Sequence, residues 1–174
     1  VEYINNGKNN LEVESWTNNN YLINAIPRTD NKPLFWSFLP GSYGWDHYWI
    51  QPLETGFELD NYLGMNRVDY GGGTPVADIW RQDAGLAVGH VEMVPKQVSL
   101  PVVMETDLEA SLAVTYRKSV SLKPGASLPT FTTFVAVHQG DHFQTLSEYR
   151  RFMIRQGIEF KDAPSSAYET IWCG

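Results

Sequence analysis

Apolar and polar residues alternate with period two along most of this chain, the spacing that puts one face of a strand in a core and the other towards water. The run Leu108-Glu109-Ala110-Ser111-Leu112-Ala113-Val114-Thr115-Tyr116-Arg117 is the clearest case, apolar at even positions and mostly polar at odd ones. From Gln97 to Met104, the residues Val98, Leu100, Val102 and Met104 share one face. Pro101 within that run predicts an edge strand or a bulge, because proline cannot donate to a ladder. Further strands are expected at Leu11–Trp16, Tyr21–Ile26, Phe35–Leu39, Tyr48–Gln51, Phe57–Leu63, Val76–Arg81, Gly85–Val94 and Thr130–His138, with Lys123-Pro124-Gly125 as a turn. About ten strands at this spacing predict an all-β fold, a large antiparallel β-sandwich.

The pattern changes once. Phe143, Leu146, Tyr149, Phe152 and Met153 fall at helical spacing, and Thr145-Leu146-Ser147-Glu148 matches a capping box. Arg150, Arg151 and Arg155 suit the negative end of a helix dipole, and Gly157 can close the helix. One helix over 143–157 is therefore expected. Residues 159–166 read as a linker, after which Tyr168-Glu169-Thr170-Ile171-Trp172-Cys173-Gly174 begins a fresh apolar, strand-like segment and stops. The expected plan is a sandwich over 1–142, the helix, and a linker with the opening of a further domain over 158–174. The start, Val1-Glu2-Tyr3-Ile4, has neither an initiator Met nor an apolar leader. Both ends predict a piece trimmed from a longer protein.

Composition narrows the function. The 174 residues carry a net charge of −7, and only Arg150, Arg151 and Arg155 gather as a basic group, which argues against nucleic acid as a partner. No apolar run has the length of a membrane span. Six Trp and nine Tyr are many for this length; rings fill sandwich cores, and they also stack on the C–H faces of sugars. The single Cys173 rules out an internal disulfide and any Cys-based zinc site, and leaves the compartment open, secreted or periplasmic locations included.

Two segments carry the candidate binding chemistry. In Asp69-Tyr70-Gly71-Gly72-Gly73-Thr74-Pro75, three glycines permit close backbone approach beside a carboxylate and a ring. Trp45, Asp46 and His47 stand in an aromatic-rich stretch, Ser42 to Trp49. Glycosidic hydrolysis needs two carboxylates at a set separation. Asp46, Asp60, Asp69, Asp78 and Asp83 are available, though turns and caps account for aspartates equally well. His138 and His142 cross from a strand into a loop, so no metal or other cofactor is expected. His90 and Glu92, two apart on a strand, share a face and form a possible acid–base pair. No Gly-x-Ser-x-Gly elbow and no phosphate loop occurs.

Phe57-Glu58-Leu59-Asp60, then 69–80, then Gly85 to Glu92 and Pro95 to Pro101, together with the ending at 168–174, resemble an α-galactosidase-type glycoside hydrolase of the melibiase group, family 36-like. The resemblance implies an N-terminal β-supersandwich domain of galactose-mutarotase-like architecture, followed by a catalytic barrel. It implies that the catalytic aspartates lie on that barrel, so this chain has none of them and is expected to be inactive alone. Its partners would be the barrel and a galactoside-type carbohydrate. Asp69, Tyr70, Gly71 and Gly72, with Trp45, Asp46 and His47, would help shape the sugar pocket. A free-standing carbohydrate-binding module and a mutarotase-like epimerase using His90 and Glu92 are the competing readings.

Overall fold

In the computed structural model the described residues are 1–25, 35–40, 49–61, 74–94, 96 and 98–161. They form β1 (Glu2–Ile4), β2 (Leu11–Asn24), β3 (Trp36–Phe38), β4 (Ile50–Pro52), β5 (Glu58–Asp60), β6 (Val76–Arg81), β7 (Ala84–His90), β8 (Pro101–Met104), β9 (Glu109–Leu122), β10 (Ser127–Pro129), β11 (Thr133–His138) and the helix α1 (His142–Arg155). The fold is an all-β antiparallel sandwich with one C-terminal helix. One sheet has the order β11-β7-β6-β3-β4, the second β2-β9-β8-β5, and β1-β10 make a separate ribbon.

The alternation fixes which faces meet. Val98 and Leu100 leading into β8, Val102 and Met104 on it, and Ala110, Leu112 and Val114 of β9 are all buried. They pack against Ala77, Ile79 and Val88 of the five-stranded sheet to fill the sandwich. Pro101 is the first residue of β8, which lies between β9 and β5 rather than at an edge. Its missing N–H falls in a gap in the pairing with β9, between the isolated Ser99–Thr115 bridge and Val102. The two strands expected at 11–16 and 21–26 are one long strand, β2, bent at Asn19, whose φ is 50°. Its pairing with β9 shifts register between Asn18 and Tyr21. The bulge aims Asn19 Nδ2 at Phe134 O of β11, 2.7 Å away, tying the edge of one sheet to the edge of the other.

The five-stranded sheet is covered on its second face by α1. Phe38, Val76, Val91, Phe134 and Met153 form this second core, with Leu146, Tyr149 and Phe152 packed on it. Coverage on both faces explains why β6 shows no alternation: Val76, Ala77, Asp78 and Ile79 are all buried. Phe143, placed on the apolar stripe by spacing, is 62% exposed in the first turn.

The start of α1 differs from the sequence expectation. Asp141 is the N-cap, accepting from Phe143 N at 3.0 Å, and Thr145 lies a turn inside with its hydroxyl committed to Asp78. The C-terminal expectation holds. Gly157 has φ +91°, Gly157 N donates to Ile154 O at 2.9 Å and Ile158 N to Met153 O at 3.1 Å, the paired bonds of a Schellman stop.

Candidate functional site

Trp45, Asp46, His47, Asp69, Tyr70, Gly71 and Gly72 all lie outside the described residues, but the strand ends that carry them are described. Leu39 N donates to Trp49 O at 2.8 Å, closing the two sides of the β3–β4 connection. Thr74 N donates to Pro40 O at 3.3 Å, joining the chain just after 62–73 to the chain just before 41–48. Asn61, 1% exposed, stands immediately before 62–73, and its Nδ2 donates to Val76 O at 2.5 Å and Thr74 O at 3.4 Å. Both candidate segments therefore leave one end of the sandwich through a common hydrogen-bonded neck. The strand registers put His90 and Thr133 at this same end. The helix returns here too, since Met153 and Ile158 pack against Val76 and Val91.

His90 and Glu92 do not make the expected acid–base pair. β7 ends at His90, so the two residues do not lie on one strand face. The His90 ring is 4% exposed and edge-on to Phe131 at 5.4 Å, in a cluster with Trp16 and Tyr116. Its Nδ1 accepts from the backbone N–H of Glu92 at 3.3 Å. The neutral ring therefore carries its proton on Nε2, which is buried and has no partner among the described residues. Burial holds the pKa down at about 4; Glu92 pulls it upward and Lys96 pushes it further down. The Glu92 carboxylate accepts from Thr132 N at 2.9 Å. A ring that is neutral and closed to solvent cannot exchange protons with a sugar.

The remaining carboxylates divide by position. Asp60 accepts from Ser99 Oγ at 2.5 Å and Leu100 N at 2.8 Å, which is a structural strand-end role. Asp83 sits in the β6–β7 turn beside Arg81 at 2.7 Å. Asp78 is different: it is fully buried in mid-strand, with Thr145 Oγ1 at 2.6 Å from Oδ2 and His138 Nε2 at 3.1 Å from Oδ1. The residue types match a nucleophile–base–acid triad, but the hydroxyl proton goes to the carboxylate, and all three groups are buried under α1. The cluster joins β6, β11 and α1. Gly85, opposite His138 across the β7–β11 ladder, makes room for the ring: a Cβ there would stand 2.2 Å from His138 Cε1.

Sequence reasoning missed Asn61 and the Asp78–His138–Thr145 cluster. The signal for the cluster was the unbroken run at 76–80, which implies burial on both faces and so a partnered carboxylate. Asn61 gave no signal. Among the described residues, no group of three His, Cys, Asp or Glu is placed to hold a metal ion, and no helix is long and apolar enough to cross a membrane.

These features define an antiparallel β-sandwich whose candidate segments rise from one end. No family model matches the chain. It is similar to the A type blood alpha-D-galactosamine galactosaminidase of Flavonifractor plautii, 28% identical over 146 residues. The similarity takes in 79% of this chain and 13% of that relative, so the chain corresponds to a small part of a much longer glycoside hydrolase.

Proposed function

We propose that this chain is a non-catalytic accessory domain of a larger glycoside hydrolase of the α-galactosidase type. The observation that carries the reading is the similarity to 13% of a long galactosaminidase. In this reading the domain packs on a catalytic barrel in the same polypeptide. The end of the sandwich bearing 41–48 and 62–73 faces the barrel mouth. Asp69 accepts hydrogen bonds from sugar hydroxyls, Tyr70 and Trp45 pack on the apolar face of a galactoside-type ring, and Gly71 and Gly72 let the backbone approach closely. Asp46 and His47 supply further polar contacts.

The chemistry itself lies outside these residues. Asp60 and Asp78 are committed to internal hydrogen bonds, and His90 is buried and neutral. The test is enzymatic. The purified domain should release no p-nitrophenol from aryl α-galactosides or aryl α-galactosaminides, whereas a longer polypeptide containing it should. Turnover by the isolated domain would contradict the reading.

A further inference from the structure

We infer that Asn6 is a modification site, where the chain deamidates through a succinimide, and that the buried side chain of Asn5 holds the rate of that step down. Both residues stand in the bend 5–10 between β1 and β2. Asn6 is exposed and is the one asparagine of the sequence followed by glycine. Deamidation begins when the backbone nitrogen of the next residue reaches the asparagine's side-chain carbon, and a side chain on that next residue hinders the approach. Gly7 has none, whereas Asn10, Asn20 and Asn24 precede Leu11, Tyr21 and Ala25.

The step needs water alone as co-reactant. Gly7 N gives its proton to solvent base and attacks Asn6 Cγ. The new N–C bond closes the succinimide ring, the Cγ–Nδ2 bond breaks, and that nitrogen takes up a proton and leaves as ammonia. Water then opens the ring. Cleavage at Cγ leaves an aspartyl residue at position 6; cleavage at the main-chain carbonyl leaves an isoaspartyl residue, whose main chain is longer by a methylene.

Asn5 controls the nucleophile. Its Oδ1 accepts from Gly7 N at 3.0 Å, while its Nδ2 donates to Asn9 O at 2.9 Å and to Leu122 O at 2.7 Å. Its main chain is bonded too, N donating to Ala126 O at 3.0 Å and O accepting from Gly125 N at 2.8 Å. Asn5 is 5% exposed and every polar atom it has is partnered, so the bend is pinned to the end of β9 and to the β9–β10 turn. A Gly7 nitrogen whose proton is held by Asn5 is a poor nucleophile, and attack requires the bend to open first.

The test is peptide mapping by mass spectrometry of the whole chain, held folded in mildly alkaline buffer, beside a synthetic peptide of residues 3–10. Aspartyl and isoaspartyl forms should appear at position 6 before any other asparagine is converted. Conversion should run about tenfold more slowly in the folded chain than in the peptide, the scale set by a hydrogen bond that must first break. The Gly7 amide proton should likewise exchange with solvent more slowly in the chain. Asn5→Ala should bring conversion close to the peptide rate with the amides of β10 still protected. Earlier conversion at another asparagine, equal rates in chain and peptide, or an Asn5→Ala variant that keeps both the β1–β10 ribbon and the wild-type rate would each overturn the inference. If Asn5→Ala loses that ribbon, the comparison of wild-type chain with peptide decides.

Discussion

Buried polar side chains set the character of this domain at the residue scale. His90 stays neutral because its surroundings cannot solvate a charge, and the linkage has a definite sign. The folded pKa is about 4 and the ordinary value 6.5, so the unfolded chain binds a proton first as pH falls. This contribution to stability is intact above 6.5, declines between 6.5 and 4, and is fully lost below. The interval corresponds to about 3 kcal/mol. Denaturant titrations at pH 7.5 and pH 4.5 should show that decline, and His90→Gln should flatten its share of it; an unchanged pH slope in the variant would contradict the burial account. The Asp78 cluster makes a second prediction. Gly85→Ala should destabilise by about 1–3 kcal/mol through its clash with the His138 ring, and by much less in a His138→Ala background. Additive costs would mean that the ring is not what Gly85 accommodates.

Elements were more legible than sites. The even-numbered face of 98–104 and 110–114 is buried as the alternation requires, because a period of two leaves one choice of face once a core forms. Leu112→Ala should accordingly cost about 2–5 kcal/mol in equilibrium unfolding. The helix was legible in its stripe and its Gly157 stop. Its start was not, because Asp141 and Thr145 are both good capping residues and only the position of Asp78 shows which one is committed elsewhere. Asp141→Ala should cost about 1 kcal/mol as a lost N-cap. Thr145→Ala should cost more, since it removes a buried donor from a buried carboxylate, and a smaller cost than that of Asp141→Ala would reverse the assignment. Asn61 escaped sequence reading for a similar reason: its role depends on strand ends 13 and 15 residues away in sequence, which no local spacing encodes.

Among the described residues, the four-stranded sheet, the five-stranded sheet and the helix stack in three layers. At one end the β6–β7 turn and the β11–α1 connection are short and joined to each other, Gly140 N donating to Gln82 O at 3.3 Å. The other end gathers the necks of 41–48 and 62–73, the crossing from β7 towards β8, and the end of the helix. Met93 and Val94 are exposed in that crossing, at 60% and 65%. Concentrating candidate segments at one end of a rigid sandwich is how such scaffolds commonly carry function. In the proposed function this end shapes a sugar site of a larger glycosidase. The most direct measurement compares the KM for p-nitrophenyl α-galactoside of the barrel-containing enzyme with that of its Asp69→Ala variant, alongside thermal melts of the isolated domain. KM should rise about tenfold, as for the loss of a charged hydrogen bond, with the domain melting temperature unchanged. An unchanged KM together with a destabilised domain would contradict the proposed function and leave Asp69 with an architectural role alone.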